Sequence, residues 1–124
     1  MKLQPDQIQT LSVTGYGAGW LAILGQRHTN SLLITSGGLL RDISAREPSQ
    51  LTATDFAALA DLPVELVVYG SGARLQFPPP AWLAPLMARR IGLETMDTEA
   101  ACRTYNILAS EGRPVAALLL LPPH

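Results

Sequence analysis

The sequence predicts one α/β domain that opens with an antiparallel β unit, and three observations carry that expectation. Strand-length apolar runs separated by glycine turns fill the first third of the chain. The nearly continuous apolar run Glu65-Leu66-Val67-Val68-Tyr69 stops at Gly70-Ser71-Gly72, as an interior strand covered on both faces would. Asp97 then heads a helical stretch that Gly112 closes, and a second apolar run, Val115 to Leu120, follows. At 124 residues the chain has the length of one ordinary domain, so residues 1–124 are read as a single unit. A hydrophobic fraction of 48% and a mean hydropathy of +0.19 let burial offset chain entropy without disulfides or a structural metal.

In chain order, Ile8, Leu11 and Val13 lie in a short strand that ends at the turn Gly15-Tyr16-Gly17-Ala18-Gly19, and Trp20 to Leu24 returns as the second strand of a hairpin. Residues 25–30 read as a turn. Ser31–Thr35 is the next strand, and Gly37-Gly38 separates it from residues 39–43. Residues 44–50, with Pro48, suit a surface loop, and Thr52 or Thr54 caps a helix through Phe56, Leu59 and Ala60 that Pro63 ends. Pro80 starts a helix over residues 81–90, with Pro85 making its first turn irregular. Arg89 and Arg90 fall in its last turn before Gly92 as stop, where the helix dipole favours positive charge.

Leu93 to Met96 follows, and Asp97 caps a helix from Thr98 to Ser110 with Glu99 in its first turn. At 3.6 residues per turn Ala101, Tyr105 and Leu108 face inward, whereas Glu99, Arg103, Asn106 and Ser110 form a polar stripe on the opposite side.

A formal net charge of −1 and a pI near 6.0 provide no positive field for phosphate backbones, so nucleic acid is not an expected partner. The single Cys102 excludes an intramolecular disulfide, and with His28 and His124 as the only histidines no metal set can be argued. The longest apolar run is about a third of a membrane span, and residues 1–10 resemble neither a signal nor a transit peptide. A cytoplasmic protein with no membrane insertion is expected.

Gly70, Ser71, Gly72, Ala73 and Arg74 follow a buried strand, where open α/β sheets often place ligand loops. Backbone amides there could meet an anion and Arg74 could pair with a carboxylate or phosphate, although a tight turn with a surface arginine accounts for the same residues. The loop is no dinucleotide fingerprint, since Leu75 stands where a third small residue belongs, and no P-loop or nucleophile elbow occurs. No cofactor is implied. A Cys102–His28 pair is outweighed by the commoner small buried thiol. On the helix stripe Arg103, Thr104, Tyr105 and Asn106, joined by Glu111 and Arg113, make either a solvated face or a polar interface network.

Met96-Asp97-Thr98, Ala100 through Leu108 including Arg103-Thr104-Tyr105-Asn106, and Glu111-Gly112-Arg113-Pro114-Val115 resemble the carboxyl-terminal signature of a small Mth-type domain family of unknown function. That family includes mitochondrial NADH:ubiquinone oxidoreductase (complex I) assembly factor 3 and the adipogenesis-associated Mth-domain protein. Gly15-Tyr16-Gly17, Tyr69 to Gly72 and Pro80 are similar to its earlier landmarks. The resemblance implies a three-layer α/β domain with a central mixed sheet, flanking helices and an additional N-terminal antiparallel β unit. It implies an assembly role through protein partners and carries no catalytic residues, and a counterpart of the mitochondrial member's targeting extension is not expected here. The expected function is therefore non-catalytic binding of an unidentified protein partner, with a homo-oligomer also open. The alternative is a small anionic-ligand binder or weak enzyme built on Gly70 to Arg74.

Overall fold

The structure, a computed structural model, describes residues 10–123. Ile8 and His124 lie outside the described residues. Among the described residues, eight strands form two sheets. β1 (Val13–Gly17), β2 (Trp20–Ile23) and β3 (Gln26–His28) make a small antiparallel sheet in that order. The main sheet has five strands in the order β5-β4-β8-β6-β7, with β4 at Ser31–Thr35, β5 at Leu40–Ile43, β6 at Leu66–Gly70, β7 at Gly92–Met96 and β8 at Val115–Leu119. β4 runs antiparallel to β5 and β8, whereas β6 runs parallel to β7 and β8.

The period of two along each strand divides the core into two. Val115, Ala117 and Leu119 of β8, with Leu32, Ile34 and Val68, face the helix α3 (Thr98–Ser110) and the small sheet, which adds Val13, Leu21 and Ile23. Ala116, Leu118 and Leu120, with Leu33, Val67 and Tyr69, face α1 (Ala53–Leu59) and α2 (Ala84–Ala88). The domain is thus three layers with a mixed sheet in the middle, and the small sheet shares a layer with α3.

Local chemistry sets the element ends. The Thr52 N–H donates to the Asp55 carboxylate at 2.7 Å to start α1, and the Asp97 carboxylate accepts the Ala100 N–H at 2.9 Å to start α3. The helix expected over residues 81–90 is instead a 3-10 turn, Pro80–Leu83, followed by α2 with Pro85 in its first turn. α2 is closed by Arg90 rather than Gly92: Arg90 has φ 58°, and the N–H groups of Arg90 and Ile91 return to Met87 and Leu86 at 3.0 and 2.9 Å. Arg89 sits 3.6 Å from Asp61 in an exposed ion pair of little energetic weight.

Two further expectations are corrected. Residues 25–30 are not only a turn, because Gln26–His28 forms β3 through a two-residue hairpin in which Leu24 and Gly25 both have positive φ, as a type I′ turn needs. The β4–β5 hairpin belongs to the main sheet, not to the small antiparallel unit.

α3 approaches the sheet closely at Gly70, where a Cβ would lie 2.9 Å from the Thr98 Cα and 3.0 Å from the Ala101 Cβ. Gly70→Ala should therefore lift the helix and lower stability by about 2 kcal/mol. Urea unfolding checks this; an unchanged midpoint would show that α3 has slack over β6.

Candidate functional site

In open α/β sheets the ligand crevice lies where neighbouring parallel strands send their connections to opposite faces. β6 leads to α2 on one face and β7 to α3 on the other, so the crevice here falls between the carboxyl ends of β6 and β7. The chain's own hydrogen bonds fill it. The Ser71 N–H donates to the Met96 carbonyl at 2.9 Å, the Gly72 N–H to Thr98 Oγ1 at 2.9 Å, and the Thr98 N–H to the Gly72 carbonyl at 2.9 Å. The Thr98 hydroxyl donates in turn to the Leu120 carbonyl at 2.6 Å. Ser71 Oγ lies 2.6 Å from the Arg74 carbonyl and 3.2 Å from that of Met96, and accepts the Gln76 N–H at 2.9 Å. Both side chains are buried.

Of the candidate ligand residues Gly70, Ser71, Gly72 and Arg74, the first three are built into the fold. Gly70 is strand, the amides of Ser71 and Gly72 are committed within the fold, and only Arg74 is exposed. Three concavities border the sealed crevice and the β7 edge. One of about 500 Å³ is lined by Tyr16, Gly19, Gly72, Asp97, Glu99 and Pro122. Its two carboxylates suit the N-terminus of α3 and make the cleft hostile to anions. Another, of about 310 Å³, holds Arg46 and Arg74. The third, about 410 Å³, lies between Phe77, Pro78, Pro80 and Leu83 and the β7 residues Leu93 to Thr95.

On the polar stripe of α3, Glu99, Arg103 and Ser110 are exposed as expected, whereas Asn106 is half-buried against the small sheet. The Asn106 amide accepts the Val13 N–H at 2.9 Å and donates to the Val13 carbonyl at 2.7 Å, acting as a surrogate strand beside β1. Tyr105 is buried, and its hydroxyl donates to the Leu11 carbonyl at 2.7 Å. Arg103 donates to the Tyr16 hydroxyl at 2.7 Å, and Arg113 pairs with Glu65 at 3.2 Å. Of the six candidate interface residues Arg103 and Glu111 are exposed, Thr104 is half-buried, and Tyr105 and Asn106 are internal fasteners. The two candidate sites meet only through Tyr16, which takes Arg103 and lines the 500 Å³ cleft with Gly72.

Cys102 is fully buried, and that burial, reinforced by Glu99, pushes its thiol up to about 12. Burial likewise raises the Tyr69 phenol to about 12 and the Tyr105 phenol further still. None of these groups is poised as a nucleophile or base at neutral pH. Sequence reasoning missed Arg46 and Phe77; the only signal for Phe77 is a large aromatic placed directly before three prolines.

Residues 13–120 match the family described as "Protein of unknown function (DUF498/DUF598)". The chain belongs to that family. The chain is similar to an uncharacterised protein of Rhodobacter capsulatus, 37% identical over 122 residues that cover 97% of this chain and 92% of that one. The human NADH dehydrogenase [ubiquinone] 1 alpha subcomplex assembly factor 3 is 26% identical over 98% of this chain, which spans 66% of that protein's length. Among solved structures, a Bordetella pertussis protein described as a Mth938-like domain superposes with a TM-score of 0.83 at 30% identity, covering 99% of this chain and 94% of its own. Among the described residues of this chain, no helix is long and apolar enough to cross a membrane, and no three His, Cys, Asp or Glu side chains gather as metal ligands.

Two outcomes test the fasteners. Asn106→Leu leaves both main-chain groups of Val13 without their partner and should lower stability by about 2 kcal/mol, whereas a surface substitution such as Ser110→Ala should change it little; urea melts of the two variants decide. The raised thiol and phenol values mean that the unfolded chain releases protons first as pH rises, so stability should hold to about pH 9 and fall between 9 and 12. Unfolding midpoints across that window check the sign.

Proposed function

We propose that the chain is a non-catalytic partner-binding protein of the assembly-factor kind, which holds another polypeptide along the free edge of β7. Kinship with an assembly factor of the respiratory NADH dehydrogenase supports the class of function. The sealed β6/β7 crevice supports the absence of small-molecule chemistry at the usual place for this architecture.

The observation that carries the proposal is Phe77, 69% exposed beside an unpaired strand edge. Gly92 donates to Glu65 and Met96 accepts from Ser71, so these β7 residues turn their main-chain groups toward β6. Alternation along a parallel strand then turns those of Leu93 and Thr95 outward, where no described strand pairs with them. An extended segment of a partner fits such an edge, its backbone completing the ladder and an apolar side chain entering the cleft under Phe77.

Affinity capture from a native extract of the chain's own cells, run with wild type and Phe77→Ser, tests this. A partner held by wild type should fall about tenfold or more in the variant while the melting temperature stays the same. Equal capture by both would remove the β7 edge as the partner surface.

A further inference from the structure

On the other side of the sealed crevice, Arg46 and Arg74 line one cleft of about 310 Å³ with Glu47, Ser49, Gln76 and Pro122. Arg46 is half-buried and held in place: it donates to the Leu121 carbonyl at 3.2 Å and to Asn30 Oδ1 at 3.0 Å. Both acceptors are neutral, so they orient the guanidinium without compensating its charge, and they leave further N–H donors uncommitted. Arg74 is exposed at the tip of a loop whose shape is set by the Ser71 hydroxyl against the Arg74 carbonyl. Among the described residues neither arginine has a carboxylate within salt-bridge distance, although Glu47 shares the cleft.

We infer that this cleft is a carboxylate-binding site, in which Arg46 and Arg74 take the two oxygens of a single carboxylate group. Two arginines and one glutamate leave one net positive charge, which a carboxylate neutralises. A phosphate dianion would bring surplus negative charge up to Glu47. The planar guanidinium also matches the spacing of carboxylate oxygens, so a pre-oriented Arg46 loses little freedom on binding. Two sources of such a group that the test below separates are a free small carboxylic acid and the C-terminus of a peptide. The site shares no lining residue with the β7 cleft, so either reading can fail without the other.

The test is an NMR titration of the full chain at fixed ionic strength, following the Ala73 and Arg74 amides and the Arg46 side-chain N–H. The probes are sodium acetate, acetyl-Ala-Ala-Ala with a free carboxylate, its C-terminal amide, and sodium chloride as the reference anion. Acetate and the free-acid peptide should shift these signals saturably, and the amide and chloride should not. Arg74→Gln, an exposed change that spares the fold, should weaken binding about fivefold or more, and Glu47→Gln should tighten it several-fold. A peptide acid binding about tenfold tighter than acetate identifies a chain terminus as the source, and equal affinities identify a small acid. Shifts that do not saturate, that chloride reproduces, or that survive Arg74→Gln would overturn the site, as would weaker binding in Glu47→Gln.

Discussion

The Thr98 hydroxyl is the contact on which the rest of the structure depends. Buried where β6, β7 and β8 end, it accepts the Gly72 N–H and donates to the Leu120 carbonyl, tying the ends of two parallel strands to the first turn of α3. A buried polar group left without a partner costs about 1–3 kcal/mol, and here the loss of one hydroxyl would strand two main-chain groups as well. The same anchor presses α3 onto Gly70 and so determines which way Arg103, Tyr105 and Asn106 project. Those three side chains then fasten residues 11–16, and with them the small sheet. One threonine therefore closes the crevice between β6 and β7 and positions the small sheet beside α3.

What could be read in the sequence was what local chemistry determines. α3 runs from its Asp97 cap to the turn at Gly112 as expected, because cap, period and stop all lie within a short stretch. β4, β6 and β8 were legible because strands buried on both faces carry nearly continuous apolar runs. β3 was not: Gln26, Arg27 and His28 carry no apolar alternation, and pairing with β2 alone makes them a strand. Arg90 in a left-handed conformation could not be anticipated either, since Gly92, two residues on, is the residue type that usually stops a helix.

The candidate site was legible only in part, and the reason is sequence distance. Ser71 and Thr98 are polar residues at the right ends of the right strands, but their partners lie up to 26 residues away and can be identified only when the sheet order is known. Asn106 is the sharper case. Helical period places it on a polar stripe, and solvent is the default neighbour there; its actual neighbour, Val13, is 93 positions earlier. Arg46 lies in a loop with nothing to mark it, and only the folded chain brings it to Arg74.

The outer edges of β1, β5 and β7 are managed differently, and the difference bears on function. Beside β1, Asn106 occupies both main-chain groups of Val13, so no foreign strand can pair there without displacing it. β5 exposes Arg41 and Asp42, charges that discourage casual pairing. β7 exposes Glu94 and runs beside Pro78 and Pro80, which have no N–H and so cannot add a strand to it themselves. No described residue hydrogen-bonds its outward groups at Leu93 and Thr95. A partner strand that pairs with them brings a net gain of about 1 kcal/mol per bond, and burial of Phe77 adds about 1.5–3 kcal/mol. Set against the entropy lost on association, about 4 kcal/mol or more, that sum gives a weak and reversible contact, which is what the proposed partner-binding role calls for.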